Sequence, residues 1–340
     1  MHISALSILC MGASAAVAII LPIVLLIWFQ KGFNAKFIPA LVGAASFILF
    51  ALVFEQALHS VVLRPESIVS TNTILYILYA TLAAGVFEET GRLISFLAIR
   101  RKYPGAQNAL SYGVGHGGIE AVLIVGLTMV SNIALSIALN TGKLDNLNLP
   151  GIASIDHETL REAIGSAAPT TYLLPGVERI GAIALHIALS VLVYYAVMQG
   201  GRFWLYPISI LLHALSNIPA ALLQKGVITS ILFVEVFLYA STALIAIFAF
   251  IIHKKLKSEV MSIDRPVLPS KTMEVSESNT ADAGAVPVAV SCDTPEQNDA
   301  TGGELSPIGT FEDFLVAESL HASESGSPST TSEKANPSGQ

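Results

Sequence analysis

Ten polar residues stand in stretches of the chain that are otherwise apolar, and they are of types that carry out hydrolytic chemistry. The candidate catalytic residues are Glu88, Glu89, His116, Glu120, His186, His213 and Asn217. The candidate supporting residues are Arg92, Glu178 and Arg179. Glu88 and Arg92 are four residues apart, as are His116 and Glu120, so each pair would share one face of a helix.

These residue types predict a site that activates a water molecule. Two adjacent glutamates in a low-dielectric cavity should not both ionise freely, so either Glu88 or Glu89 could take a proton from water. Histidines can move protons or, when neutral, bind a metal ion. Asn217 can donate a hydrogen bond to a developing oxyanion. The set therefore suits hydrolysis of an amide, although the sequence contains no His-Glu-x-x-His zinc helix.

The stretches that must position these residues are long enough to cross a membrane. Of the 340 residues, 53% are hydrophobic and 13% are charged, whereas a soluble domain carries roughly 25% charged residues. The mean hydropathy is +0.66. Seven blocks can each cross ~30 Å of hydrocarbon, and they lie near 5–29, 37–62, 73–99, 108–139, 173–198, 203–223 and 227–253. The sequence therefore predicts an all-α, polytopic bundle of about seven helices, integral to a membrane.

Lysine and arginine are distributed unevenly between the two ends of these blocks. One set of ends carries nine, namely Lys31, Lys36, Arg100, Arg101, Lys102, Arg202, Lys254, Lys255 and Lys257. The opposite loops carry four, namely Arg64, Lys143, Arg161 and Lys225. Because basic residues accumulate on the cytoplasmic side, we expect the N-terminus outside and the C-terminal segment in the cytoplasm.

The chain divides into a membrane part, residues 1–257, and an acidic tail, residues 258–340. The tail holds 14 acidic and three basic residues, is rich in Ser, Thr and Pro, and has few aromatic residues. Such a composition cannot bury enough apolar surface to offset the entropy of ordering, so the tail is predicted to be disordered. Its short apolar island, Phe311, Phe314 and Leu315, could dock on a cytoplasmic partner.

The polar residues of four blocks are expected at one depth in the membrane. Counted from the basic ends at 1.5 Å per residue, His116 lies ~12 Å deep, Glu89 and His213 ~15 Å and His186 ~18 Å. A charge at this depth costs roughly 2.5–3.5 kcal/mol on insertion scales, so a single shared cavity explains the set better than independent accidents. Three further polar residues, Glu55, His59 and Glu235, are expected towards the outer ends, in interface or gating roles.

Glycines surround one of the histidines. They are Gly113, Gly115, Gly117 and Gly118. Glycine permits close approach between membrane helices, and it would leave room for a substrate or water beside His116.

Four segments occur in a fixed order along the chain. They are Phe87-Glu88-Glu89-Thr90-Gly91-Arg92, Gly115-His116-Gly117-Gly118-Ile119-Glu120-Ala121, Glu178-Arg179 followed by His186, and His213-Ala214-Leu215-Ser216-Asn217. In this combination the chain resembles the YhfC-type intramembrane proteases, within the wider group of type II CAAX prenyl endopeptidases, bacterial abortive-infection proteins and PrsW-type proteases. The resemblance covers residues from about 1 to 255 and excludes the tail.

The resemblance implies a role for each matching residue. A glutamate of the first motif, Glu88 or Glu89, would activate water. His116 and His213 would assist it, and Asn217 would stabilise the oxyanion. Two residues separate Glu89 from Arg92, as in the PrsW-type motif, whereas the CAAX group usually has three. Either glutamate therefore remains a candidate for the base.

Our first hypothesis is a glutamate-dependent intramembrane endopeptidase that acts on a peptide or membrane-protein substrate. A metal-dependent version, with zinc as the candidate ion, would leave a fourth position open for water. Its three ligands would be His116, His186 and His213. The alternatives are a proton-coupled transporter, because membrane carboxylates and histidines also form proton relays, and a non-catalytic chaperone or scaffold. We expect the lipid bilayer as surroundings and no nucleic-acid partner.

Overall fold

The computed structural model describes residues 2–144 and 157–263, and these residues form helices without any strand. The tail predicted from residue 258 lies outside the described residues from residue 264 onwards. The helices are α1 (Ala5–Phe33), α2 (Ile38–Val62), α3 (Ile68–Thr71), α4 (Thr73–Ile99), α5 (Gln107–Thr141), α6 (His157–Gly165), α7 (Pro169–Met198), α8 (Leu205–Gln224) and α9 (Ile231–Ile263). The predicted all-α bundle is thus confirmed.

Local sequence explains where the helices begin and end. Ser4 caps α1, since its hydroxyl accepts a hydrogen bond from the backbone N–H of Ser7 at 3.0 Å. Asn34 ends α1 in the left-handed conformation, with φ of 57°, which asparagine adopts more readily than most residues. Asn72 caps α4 through the backbone N–H of Leu75 at 3.1 Å.

Six of the described helices are long and apolar enough to cross a membrane, namely α1, α2, α5, α7, α8 and α9. The chain is therefore an integral, multi-pass membrane protein. Helix α4 has 27 residues, also enough to cross, but it carries Glu88, Glu89 and Arg92 within its apolar sequence. The count of seven spans and the orientation stay predictions.

Helix α7 is the central helix of the bundle. Within its most apolar window 78% of the residues are buried, against 17–39% in the other five apolar helices. A helix in the interior is covered by neighbouring helices on most of its faces, whereas the outer helices present one face to lipid. The outward faces carry large apolar side chains such as Leu9, Trp28 and Leu244, each more than half exposed. This arrangement suits hydrocarbon surroundings.

Glycines on α5 allow three helices to approach it closely. A Cβ added at Gly113 would lie 2.5 Å from the Cα of Ile187 on α7. One added at Gly118 would lie 2.7 Å from the Cβ of Pro22 on α1, and one at Gly115 would collide with the backbone of α2. The expectation that these glycines leave room for substrate or water is wrong, because neighbouring helices fill the space beside them.

Two helices contain wide, π-helical turns close to polar residues. The π-helix of α2 spans Ile48–Glu55 and therefore ends on a buried glutamate. The π-helix of α5 spans Ala121–Gly126 and begins directly after Glu120. Such turns shift the register of the side chains on a helix, and they occur frequently at functional sites.

Candidate active site

Four helices bring a cluster of ionisable side chains together inside the bundle. Helix α4 supplies Glu88, Glu89 and Arg92, α5 supplies His116, α7 supplies His186 and α8 supplies His213. Glu88 is 7% exposed, and Glu89 and Arg92 are 0% exposed. All three histidines are buried. The residues expected at one depth thus meet in one place.

Glu88 lies at the centre of three imidazole rings. His116 donates a hydrogen bond from Nε2 to Oε2 of Glu88 across 2.8 Å. Nδ1 of His186 lies 3.7 Å from the same oxygen, and Nε2 of His213 lies 4.0 Å from Oε1. Each of the three helices facing α4 therefore turns a ring nitrogen towards this one carboxylate.

The neighbouring Glu89 has different partners. Its Oε1 accepts hydrogen bonds from the guanidinium of Arg92 and, at 2.8 Å, from Nδ1 of His213. Arg92 also donates to Nδ1 of His186 at 2.6 Å and to the hydroxyl of Ser190 at 3.1 Å. The pair of Glu89 and Arg92 thus holds two of the imidazoles that surround Glu88. A fully buried, ion-paired carboxylate of this kind is better placed to position other groups than to exchange protons.

A second polar chain supports His186 from the other side of its ring. Nε2 of His186 lies 2.6 Å from Oε2 of Glu120 on α5. Arg179 donates to Glu120 at 2.7 Å and to Glu178 at 2.5 Å. Glu178 and Arg179 are therefore not an isolated pair at the interface, because Arg179 is buried and connects to the cluster through Glu120.

The ring contacts of His186 define its tautomer. Nδ1 accepts a hydrogen bond from Arg92, so the proton of the neutral ring is on Nε2, beside the carboxylate of Glu120. His213 uses Nδ1 to donate to Glu89, so in the neutral ring Nε2 has no proton and faces Glu88. In that neutral state the nitrogen closest to the second oxygen of Glu88 is a proton acceptor.

Asn217 is the candidate residue that the cluster does not include. It lies half-buried on α8, one turn after His213, and the hydrogen bonds and ion pairs of the cluster among the described residues do not involve it. The oxyanion that Asn217 is proposed to contact forms only on a bound substrate.

Two of the three outer polar residues, Glu55 and His59, lie close to each other. Glu55 is buried and lies 3.4 Å from Nε2 of His59, whose Nδ1 is 2.8 Å from the hydroxyl of Tyr79. Glu235 is on α9, and one of its carboxylate oxygens is buried without a hydrogen-bond partner among the described residues.

The ligand atoms that converge best are those of Glu88, His116 and His186, which lie within 4.8 Å of one another. This set differs from the predicted three histidines, because it contains the carboxylate of Glu88 in place of His213. One carboxylate and two imidazoles are ligands that zinc accepts in catalytic sites, with a further position open to water. The residues therefore fit a metal ion, although both ring nitrogens of His186 have protein neighbours and one neighbour would have to move.

The sequence gives little indication of Ser190 as a member of the site. Its hydroxyl accepts from Arg92 and donates to the backbone carbonyl of His186 at 2.6 Å. A serine in a membrane helix commonly bonds to its own backbone in this way. Only the spacing of four residues from His186, which puts both on one face of α7, points to a role.

Comparisons with known proteins match most of the membrane part of the chain. The model of a family described as YhfC intramembrane metalloprotease matches residues 17–238, which include every residue of the cluster. The protein named "Uncharacterized membrane protein YhfC" from Bacillus subtilis (strain 168) is 36% identical over 238 residues, which are 69% of this chain and 92% of that protein. No solved structure matches the chain significantly.

Proposed function

This chain belongs to the YhfC intramembrane metalloprotease family, and we propose that it hydrolyses peptide bonds within the membrane with a water molecule activated beside Glu88. The observation that carries the proposal is the convergence of three ring nitrogens, from His116, His186 and His213, on the carboxylate of Glu88. A buried carboxylate with imidazoles on three sides can bind, orient and deprotonate a water molecule.

Glu88, His116 and His186 are the residues that would hold a metal ion. When bound, the ion would supply Lewis acidity, which polarises a substrate carbonyl and makes water nucleophilic at neutral pH. Without an ion, Glu88 itself takes the proton of the attacking water. If Glu88 is a ligand, the unprotonated Nε2 of His213, 4.0 Å away, accepts that proton instead.

Proton transfer to the leaving amine completes the hydrolysis. The group that has taken the proton from water, Glu88 or His213, returns it to the amine nitrogen as the C–N bond breaks. Glu89 keeps His213 in the tautomer that this step needs, because it accepts the hydrogen bond from Nδ1. Asn217, one turn further along α8, is proposed to donate to the oxyanion.

The remaining charged residues position the imidazoles. Arg92 and Glu120 contact opposite nitrogens of His186 and fix the orientation of its ring. Arg179 in turn holds Glu120. Polar partners behind metal-ligating or proton-transferring histidines commonly have this role, and their loss typically lowers metal affinity or activity 10–100-fold.

Proteolysis can be tested by a readout that covers all membrane proteins of a cell at once. Cells that lack the protein are complemented with the wild type, Glu88→Gln or Glu66→Gln, and the N-termini of all membrane proteins are labelled and sequenced. Glu66 is exposed and outside the cluster, so its variant is the matched control. We expect new N-termini inside apolar segments with the wild type and Glu66→Gln and their absence with Glu88→Gln. Identical N-termini in all three strains would contradict the proposal.

Metal content is tested separately on the purified full-length protein. We expect about one equivalent of a divalent metal in the wild type, by the ligand count of the site. His116→Ala and His186→Ala should lose it, whereas His2→Ala, at an exposed histidine, should retain it. A wild type that binds no metal under any condition, yet still produces new N-termini, would leave Glu88 as the base without an ion.

A further inference from the structure

A cavity lies at the basic end of the bundle, between α1, α5, α7 and α9. Its volume is about 970 Å³, at the upper end of the roughly 300–1,000 Å³ that small-molecule sites occupy. We refer to it as the lateral cleft, and its walls include Leu110, Ile187, Val191, Ala246 and Phe250. The cleft is apolar over most of its lining.

The lateral cleft is separate from the candidate active site. Its residues on α7 include Ala184, Ile187 and Val191, which repeat at the three- to four-residue spacing of one helix face. His186 and Ser190 contact Arg92 and therefore lie on another face of the same helix. Helix α7 thus stands between the two, and the cleft is not a route to Glu88 along this face.

The cleft opens towards the surroundings of the bundle. Ala184 is exposed although it lies on the helix that is otherwise the most buried, and Ala246 and Phe250 on α9 are also exposed. In an integral membrane protein, an opening between helices at this depth faces lipid rather than water. An apolar molecule could therefore enter sideways from the bilayer.

The polarity of the cleft changes along its length. From Ala184 to Gln199 it follows α7 for ~22 Å at 1.5 Å per residue, with apolar residues at the deep end. Towards the other end, the hydroxyl of Tyr195 is 2.8 Å from Nδ1 of His253, and Tyr194 donates to the carbonyl of Pro104. The apolar stretch before Tyr194 is ~15 Å long, about half of a ~30 Å hydrocarbon core. An amphiphile in one leaflet of the bilayer has the same order of an apolar part, about half of the core long, and a polar end.

The polar end of the cleft lies within a ring of positive charge. The described segments 29–37, 98–108, 196–206 and 249–255 meet at this end and contain no Asp or Glu. They contain eight cations, namely Lys31, Lys36, Arg100, Arg101, Lys102, Arg202, Lys254 and Lys255. Lys102 and Lys254 are exposed, and each is close in sequence to a lining residue, Pro104 or His253.

We propose that the lateral cleft binds one anionic phospholipid, with an acyl chain along α7 and the phosphate at the basic ring. The apolar end of the cleft matches an acyl chain, and the basic ring at its polar end matches the phosphate. At a membrane surface, each Lys or Arg raises the affinity for anionic lipids about fivefold.

The acidic tail is a less suitable occupant. Its apolar island places Glu312 and Asp313 between Phe311 and Phe314. Because charges are costly at bilayer depth, this segment could reach the basic ring but not the apolar end of the cleft. A lipid chain carries no such charges and can fill it.

The test uses the full-length protein in detergent and native mass spectrometry, with phosphatidylglycerol and phosphatidylcholine of identical acyl chains as probes. We expect phosphatidylglycerol to remain bound to the wild type after phosphatidylcholine is lost. Ala246→Phe should lose it, because the ring would project into the apolar part of the cleft where the acyl chain would lie. Ala243→Phe should keep it, since Ala243 is also exposed on α9 but does not line the cleft.

Charge variants test the proposed contacts between the basic ring and the phosphate of the lipid. Lys102→Gln with Lys254→Gln should weaken retention of phosphatidylglycerol about 25-fold, two factors of about five, whereas Lys143→Gln at the opposite end should not change it. Equal retention of the two lipids, or equal loss in Ala246→Phe and Ala243→Phe, would overturn the proposal. Greater lipid binding after deletion of residues 264–340 would assign the cleft to the tail instead.

Discussion

Replacement of Arg92 by methionine is expected to be among the most destabilising single changes in the bundle. Arg92 is 0% exposed, and its guanidinium donates to Glu89, His186 and Ser190. Methionine fills a similar volume but donates nothing. Glu89, itself 0% exposed, would retain only His213 as a partner.

The size of the destabilisation follows from the burial of both Arg92 and Glu89. Removal of one partner from a buried ion pair costs about 3–5 kcal/mol, because the other charge stays buried and uncompensated. The unfolding equilibrium constant should therefore rise roughly a hundred- to several-thousand-fold. Arg100→Met is the control, since Arg100 is exposed and surface changes usually stay within about 0.5 kcal/mol.

The assay is SDS-induced unfolding of the protein in mixed micelles, applied to Arg92→Met, Glu89→Gln and the double variant. If the two residues form one pair, the double variant should be less destabilised than the sum of the single variants, by about 0.5–3 kcal/mol. Additive effects would refute the buried pair. So would a loss below about 1 kcal/mol in Arg92→Met, a typical value for one ordinary hydrogen bond.

Three further outcomes follow from the same geometry. Gly117→Ala should cost about 1–3 kcal/mol, since its Cβ would lie 3.0 Å from the ring of His186, whereas Gly12→Ala, with nothing within 4 Å, should be neutral or stabilising; thermal unfolding of both distinguishes them. Ser190→Ala should cost about 1–3 kcal/mol in the SDS assay, because a buried N–H donor loses its acceptor. Zinc at 100 times its dissociation constant should stabilise the wild type by about 2.7 kcal/mol. His116→Ala should abolish that shift in the melting curve.

Several features of this protein follow directly from its sequence. The bundle is predictable because apolar blocks of 20 or more residues have no other favourable arrangement than helices in a membrane. The candidate residues can also be recognised from the sequence, because an ionisable residue such as Glu89 or His186 is rare and costly in an apolar block. The ordered motifs also indicate the family that the comparisons show.

The pairing of those residues is not predictable in the same way. Glu88 and Glu89 are neighbours in sequence and identical in chemistry. The structure nevertheless places one among three imidazoles and the other on a guanidinium. Successive residues on a helix point about 100° apart, so the two carboxylates meet different sets of partners and share only His213. Which helix each one meets depends on the packing of α4 and not on its own sequence.

Helix α7 also has features that its sequence predicts and features that only the tertiary structure determines. Its sequence alone predicts one long, mostly apolar span that carries Glu178, Arg179 and His186. The tertiary structure turns His186 and Ser190 towards Arg92 and turns Ile187 and Val191 towards the lateral cleft. Hydropathy is a property of single residues and can be read along the chain. The rotation of a helix about its axis is set by contacts with all its neighbours at once, such as the close approach of Gly113 to α7, and only the folded bundle contains those contacts.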